Sequence, residues 1–513
     1  MCGIAAITGD SIGDAEERLV WEMLEVMAGR GDQSPNVSRF AHAALGCNRL
    51  AIVDREHGAQ PFTDARTGST IVYNGEIYNV TNVVAQLAAA GSTVNTACDT
   101  EAVLAACQAW GAPAAVDALD GMYAFVIVDT LGYVVAVARD PHGIKPLYEG
   151  RHGTHRVLAS EAKALVAIGA SDVAPVAPGS VNATEIELPH VTTSIRSDRE
   201  ILASTRTAIS EAVASMVRTD LPVAVLCSGG IDSGVVLYEA SQSHRDVTVF
   251  TIGVSEDAAD VVAASRLARY LNVPFRYVHC SPQELLSAIR TVIYCIESFE
   301  PNHIRGGTLS YVLAREVHRA GFRVALCGEG ADELFCGYPE FLLSLSKPCM
   351  EQELRGLVRR FVEELPRTQL QRVDRTSMHW QLEVRVPYLA RDVVTLALGL
   401  PAHTKLRRTP EGRIVNKWAL REAYRGILPD WLIDRPKQVL SDGAGVGDNS
   451  AGGLFFDHAR RVATAQQLEA ITAFPQYQLA TVEEAYYFSI FREFFGDLRH
   501  AALRPHVNTL PTI

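Results

Sequence analysis

The chain has 513 residues, of which 48% are hydrophobic and 21% charged, the balance of a globular protein of two or three domains. A formal net charge of −12 argues against nucleic acid as the main partner, and no apolar run reaches the ~18 residues of a membrane span. The ten cysteines are scattered singly with no C-x-x-C pair, so no disulfide framework is indicated. Met1-Cys2-Gly3-Ile4-Ala5-Ala6 lacks the basic and apolar segments of a signal peptide. A reducing, cytoplasmic setting is expected.

Cys2 is the first residue with a chemical reading. If the initiator methionine is removed, one residue carries both a thiol and an α-amine that titrates near about 8. That is the nucleophile-and-base pairing of N-terminal covalent catalysis. Gly3-Ile4-Ala5-Ala6-Ile7 reads as a buried strand holding the terminus. Alone, a cysteine at position 2 is most often an ordinary residue; the blocks that follow change the reading. These are Asn48-Arg49-Leu50, Gln60-Pro61-Phe62, Tyr73-Asn74-Gly75-Glu76-Ile77-Tyr78-Asn79, Cys98-Asp99-Thr100-Glu101, Leu119-Asp120-Gly121 and Arg139-Asp140-Pro141-His142-Gly143. Asn74 and Gly75 can donate a side-chain amide and a backbone N–H to an oxyanion. Asp99 sits where a helix N-cap is expected.

From Cys2 to about residue 180, the order and spacing of these blocks resemble a class II glutamine amidotransferase domain, whose N-terminal cysteine frees ammonia from the glutamine side chain. The resemblance implies a four-layer αββα N-terminal-nucleophile fold. It also implies Cys2 as nucleophile, an oxyanion hole of Asn74 and Gly75, Arg49 on the glutamine α-carboxylate, and Glu76 and Asp99 on its α-ammonium. Two blocks depart from the family pattern: Arg30-Gly31-Asp32-Gln33 stands for Arg-Gly-Pro-Asp, and Ala97-Cys98 for Gly-Ser. Residues 167–199, with the turn signal Pro178-Gly179, read as hairpin strands closing a domain over 1–195.

Pro222-Val223-Ala224-Val225-Leu226 is an apolar run followed by Cys227-Ser228-Gly229-Gly230-Ile231-Asp232-Ser233-Gly234, a buried parallel strand, a tight turn and a helix start. The glycines let backbone approach a ligand, Ser228 and Ser233 add hydroxyls, and the helix N-terminus favours an anion. Asp232 would oppose phosphate unless a cation bridges them, which makes it a Mg²⁺ ligand candidate. Further strands (247–254, 274–279, 323–326) alternate with helices, implying a doubly wound parallel α/β sheet with its ligand at the carboxyl ends. The strand at 323–326 runs into Cys327-Gly328-Glu329-Gly330-Ala331-Asp332-Glu333, and Asp332 joins Asp232 as the second metal ligand candidate.

The glycine-serine loop resembles that of the ATP pyrophosphatase superfamily, and no GxxxxGK[ST] lysine follows it. With Glu383-Val384-Arg385-Val386-Pro387-Tyr388-Leu389 and Arg435-Pro436-Lys437-Gln438, residues 200–495 resemble the synthetase domain of glutamine-hydrolysing asparagine synthetases. The resemblance implies that Ser228, Gly229, Gly230, Asp232 and Ser233 bind pyrophosphate and metal. Leu226, Ile252 and Gly328 would line the adenosine, Glu329 and Lys437 would act on an adenylate, and Arg305, Asn302, His303, Tyr338 and Glu383 would meet the acceptor. Asn302 and His303 stand where two threonines are usual, Cys327 for serine, Ala390 for aspartate and Gly234 for serine. The implied activity is ATP- and Mg²⁺-dependent, glutamine-dependent amidation of a small carboxylic acid: aspartate, an aspartate-like acid or another small acid of secondary metabolism. The alternatives are an intramolecular amide, as in β-lactam synthetases, which typically lack the nucleophilic cysteine, and a non-catalytic relative. Residues 496–513 read as a loose tail or an arm onto a neighbour in a homodimer.

Overall fold

The computed structural model describes residues 1–185, 197–346, 350–438, 440–447 and 453–496. Residues 3–185 build two antiparallel six-stranded sheets. The first runs, edge to edge, Ser171–Pro175, Tyr148–His152, His155–Ala159, Gly3–Thr8, Ala43–Asn48 and Asn36–Arg39. The second runs Thr184–Glu185, Ser180–Val181, Val134–Arg139, Gly121–Val128, Thr70–Ile77 and Phe62–Thr63.

The period-two alternation of strands sorts their side chains into layers. Ile4, Ala6, Leu45, Val72, Ala124, Val126 and Leu158 fill the space between the sheets. On the outer face of the first sheet, Ala5 and Ile7 pack with Val20, Met23 and Leu24 of the helix Asp14–Val26. Outside the second, Tyr73, Phe125 and Ile127 pack with Leu87, Val103 and Leu104 of the helices Val80–Ala89 and Asp99–Trp110. This is the expected αββα arrangement. Strand phase also places Cys2 in the inter-sheet layer, alongside Ile4.

The second half is built on a five-stranded parallel sheet ordered Phe275–His279, Val247–Gly253, Val223–Leu226, Val324–Leu326 and Glu383–Arg385. Read in chain order this is 3-2-1-4-5, so the topological switch lies between Val223–Leu226 and Val324–Leu326, where a ligand crevice opens in such sheets. The expected boundary near residue 195 and the tail beyond Gly496 lie outside the described residues. Where description resumes, Ser197 and Glu200 form a reciprocal cap on the helix Asp198–Met216.

The two halves meet through buried charge. Arg30 donates to Glu161 Oε1 at 2.8 Å and, with both terminal nitrogens, to Asp374 at 2.8 and 3.2 Å. Lys145 Nζ reaches the same Asp374 at 3.3 Å, and Arg375 joins Asp374 to Glu297. All of these side chains are buried. Burial pushes the Asp374 carboxyl up, but Arg30, Lys145 and Arg375 outweigh it and hold it well below the usual carboxylate range. A second clasp has Arg391 donating to the carbonyls of Asp117 and Leu119 at 2.6 and 2.9 Å. Removing one partner from such a network leaves buried charge unpaired, a loss of about 3–5 kcal/mol. Asp374→Ala is therefore expected to lower stability by about that amount in chemical denaturation; a loss within the ~0.5 kcal/mol of a neutral surface substitution would contradict the assignment.

Candidate active sites

Around Cys2 the strands bring several of the expected residues together. Cys2 N donates to Asn74 Oδ1 at 3.0 Å, and Asn74 is fully buried with its Nδ2 left without a partner. An unpaired buried amide donor is costly, and this one, held beside Cys2, is free to meet an incoming acceptor oxygen. Gly75 has no room for a side chain: a Cβ there would stand 2.3 Å from the Met122 carbonyl. Arg49 fixes the adjoining loop, donating to the carbonyls of Val53, Asp54 and Arg55 at 2.8–3.1 Å.

Asp99 is not the N-cap; Cys98 is. The Asp99 carboxylate instead accepts from Tyr73 Oη at 2.7 Å and Ile77 N at 3.0 Å, and burial raises it. The hydroxyl and amide that bind it inside the domain displaced the capping geometry. Glu76 lies 3.8 Å from Arg385 Nη2 and is pushed up by burial to about 8.

Glu383 corrects the sequence reading. It was expected at the acceptor pocket, but it lies on the edge strand of the parallel sheet, fully buried, on the glutaminase side. Its Oε2 accepts from the Met1 amine at 3.2 Å and its Oε1 from Arg385 Nε at 2.6 Å. The reason is topological: the last strand of the sheet runs against the amino terminus of the chain, so its side chains serve the other half.

The second site is a cavity of about 670 Å³ at the carboxyl ends of Val223–Leu226 and Val324–Leu326, within the usual size range for small-molecule sites. It is lined by Leu226, Ser228, Asp232, Ser233, Ile252, Gly328, Glu329, Asp332, Tyr338 and Lys437, and also by Asn302, Arg305 and Cys327. Ser228 N donates to Ser233 Oγ at 3.2 Å across the loop. Gly229 turns it with φ +69°, while Gly230 caps the following helix in extended conformation.

Charge in this cavity is organised by a residue the sequence did not single out. Lys417 Nζ, 1% exposed, contacts Asp232 at 2.6 and 2.8 Å and Asp332 at 2.5 Å. Lys437 Nζ reaches Asp332 from the other side at 2.5 Å. Burial pushes Asp332 up, but the two lysines hold it well below the carboxylate range. A lone lysine ahead of a short helix carries no motif, which is why Lys417 escaped. Arg372 was missed in the same way: its Nη2 donates to Glu329 Oε1 at 2.6 Å. Glu333, buried and beside Asp332 and Glu329, is pushed up to about 8 and accepts from Tyr338 Oη at 2.7 Å.

The departures from the family pattern do not all meet the cavity. Asn302 and Cys327 line it, and burial pushes the Cys327 thiol up to about 12. His303 is buried with Nδ1 against Ser298 Oγ at 3.1 Å and is not a lining residue. Ala390 caps the helix Arg391–Gly399 away from the cavity. Gly234 is explained by packing, since a Cβ would stand 2.8 Å from Leu432 Cδ2. Arg305 lines the cavity while its guanidinium pairs with Glu483, Nε to Oε1 at 2.9 Å.

The two loop glycines make opposite predictions. A Cβ at Gly229 would lie 2.6 Å from Ala263 Cβ and Ala264 N, in a left-handed conformation. At Gly230 it would meet only Ser228 Oγ, at 3.5 Å. Gly229→Ala is expected to cost about 1–3 kcal/mol in thermal or denaturant unfolding, and Gly230→Ala under about 1 kcal/mol. Equal losses would contradict the loop geometry.

Residues 1–215 match a family model described as a glutamine amidotransferase domain, and residues 204–365 and 346–502 match one described as asparagine synthase. The chain is 30% identical to a glutamine-hydrolysing asparagine synthetase of Lotus japonicus, covering 96% of this chain and 86% of that one. It is 30% identical to one from Arabidopsis thaliana (96% and 87%) and 31% to one from Triphysaria versicolor (96% and 86%). Among solved structures, a glutamine phosphoribosylpyrophosphate amidotransferase from B. subtilis is 17% identical over 70% of this chain and 89% of that one, with a TM-score of 0.33, too loose to carry an argument. With both models matched in sequence and the relatives spanning nearly the whole chain, this protein belongs to the glutamine-hydrolysing asparagine synthetase family.

Proposed function

We propose that the protein amidates a small carboxylic acid, aspartate or an aspartate-like acid, using glutamine as nitrogen donor and ATP as activator. The observation that carries this reading is the coexistence of two equipped sites: a buried cysteine beside an orphaned amide donor, Asn74 Nδ2, and a glycine-serine loop that shares one cavity with Glu329 and Lys437. In the first, Cys2, freed of Met1, attacks the glutamine amide, and Asn74 and Gly75 stabilise the oxyanion. Arg49, Glu76 and Asp99 hold the two ends of the amino acid.

In the second, Ser228, Gly229, Gly230 and Ser233 hold the phosphates, and the acceptor carboxylate attacks the α-phosphorus to give an acyl-adenylate and pyrophosphate. Ammonia from the first site then displaces AMP to form the amide. Lys437, kept charged by Asp332 beside it, offsets phosphate charge in the transition state, while Arg372 holds Glu329 in place. Asn302, Arg305 and Tyr338 are the residues that would meet the acceptor.

A magnesium ion fits the residues present. Asp232 and Asp332 converge on one cation, now the Lys417 ammonium. Among the described residues, no three His, Cys, Asp or Glu side chains cluster to cage a metal. Two carboxylates completed by phosphate oxygens are how this ion is usually held with nucleotides. When bound it would supply charge neutralisation at the phosphates. Among the described residues no helix is long and apolar enough to cross a membrane. A cytoplasmic location and a homodimer remain part of this reading.

AMP release with Mg·ATP and glutamine across a panel of small acids, with mass spectrometry of the amide, tests it. Turnover of aspartate or a close analogue is expected; no AMP with any acid while glutamine is still hydrolysed would refute the synthetase half. Lys437→Ala is expected to lower the rate of AMP formation about 10²–10³-fold with glutamine hydrolysis retained. Unchanged AMP formation would remove Lys437 from the chemistry.

A further inference from the structure

Asp232 and Asp332, the two carboxylates that would hold magnesium, are already matched by charge within the protein. Each of their four side-chain oxygens lies within 2.8 Å of an ammonium. Both oxygens of Asp232 and Oδ1 of Asp332 face Lys417, and Oδ2 of Asp332 faces Lys437. The two lysines are not equivalent. Lys437 stands on the cavity wall and is 34% exposed, whereas Lys417 reaches the pair from behind that wall, with a side chain 1% exposed.

Backbone holds Lys417 in this place. Its φ of +53° is left-handed, a conformation that a lysine keeps only where its surroundings fix it. Its N–H donates to the Phe335 carbonyl at 3.1 Å, and its carbonyl accepts from Arg421 N at 2.9 Å. A Cβ at Gly337 would collide with Lys417 Cε and Asp332 Oδ1, so bare backbone closes over the lysine stem. Asn416 Nδ2 secures that backbone by donating to the Gly337 carbonyl at 3.0 Å.

We propose that Lys417 makes cation binding at this pair conditional on nucleotide. As the resident counter-ion it keeps Asp232 and Asp332 closed to a divalent cation arriving alone, and the pair takes one only together with nucleotide phosphates. This deepens the reading above and rests on it, since there both aspartates are metal ligands.

Two carboxylates against two ammonium groups leave no net charge on the cluster to attract a cation. A divalent ion entering alone would bring two positive charges beside an ammonium that has no path to water, where like charges repel strongly. Displacing Lys417 is no easier, because a buried ammonium without a partner is very costly. Phosphate oxygens remove both obstacles, since they bring negative charge to the cation and to the lysines at once. Magnesium is usually held in this manner, by one or two carboxylates and the substrate phosphates. Lys417 also lets two carboxylates stand close together before any ligand arrives, which their mutual repulsion would otherwise oppose.

The test is calorimetric titration of the full-length protein with manganese alone, and with α,β-methylene-ATP in the presence and absence of manganese. The wild type is expected to show no nucleotide-free manganese site that Asp232→Asn removes, and to bind the analogue more tightly with manganese. Lys417→Met keeps the stem and drops the charge. It is expected to bind manganese without nucleotide at least about tenfold more tightly than the wild type, and adding Asp232→Asn should abolish the gain. Lys417→Gln, whose amide can still donate to one carboxylate, carries the same expectation where the methionine variant does not fold. A nucleotide-free site in the wild type that Asp232→Asn removes would overturn the proposal. So would Lys417 variants that bind manganese alone no better than the wild type, or whose gain survives Asp232→Asn. Analogue binding that is equally tight with and without manganese would instead overturn the metal-ligand reading beneath it.

Discussion

An ionised carboxylate is costly to bury unless cations or hydrogen-bond donors surround it, and Asp374 is buried. Its cations are Arg30 and Lys145 from the first half of the chain and Arg375 from the second. Neither half alone satisfies this group, so the interface is set by charge pairing that must be complete before water is excluded. Much else follows from it. Arg30, held by Asp374 and Glu161, also donates to the Cys2 carbonyl, so the Cys2 backbone is fixed by a contact that spans both halves.

The helix Gln369–Met378 carries this constraint to the other site. Asp374 points to the glutaminase side, while Arg372, two residues earlier on the same helix, holds Glu329 in the cavity. The edge strand Glu383–Arg385 acts in parallel, placing Glu383 on the Met1 amine and Arg385 near Glu76. Two short elements of the second half therefore link the two sites: the helix through Asp374 and Arg30 to the Cys2 carbonyl, and the strand through the Arg385 carbonyl, which accepts from Cys327 N at 3.1 Å. A shift of either element would be felt at both.

The buried strands were readable in the sequence because apolar runs are local signals: Ile4 to Ile7, or Val223 to Leu226 before the glycine pair. The four-layer order was legible only through the family resemblance, because the apolar run from Ile4 to Ile7 does not alternate and so does not say which face meets which layer. The cavity at the carboxyl ends of the parallel strands was legible for the same reason as the runs, since its loops lie at strand ends. Lys417 and Arg372 were not legible: each meets a partner more than forty residues away, and neither stands in a motif. Glu383 misled because its block was read as part of one site, whereas strand order puts it beside the other. The departures at Gly234 and Ala390 look like specificity changes in sequence, yet Gly234 answers to Leu432, and Ala390 stands at a helix N-cap outside the cavity lining, where nothing in the structure explains alanine over aspartate.

The central claim is that the two sites work as one enzyme across this charged interface. The most direct test supplies glutamine labelled with ¹⁵N in its side-chain amide, together with ATP, magnesium, an accepted acid and excess unlabelled ammonium. The product amide is then weighed by mass spectrometry. Retention of the label despite the ammonium pool is the predicted result, with glutamate and AMP released in equal amounts. A product amide whose label is diluted to the level of the pool, or glutamate released without matching AMP, would contradict a coupled enzyme and leave two independent activities on one chain.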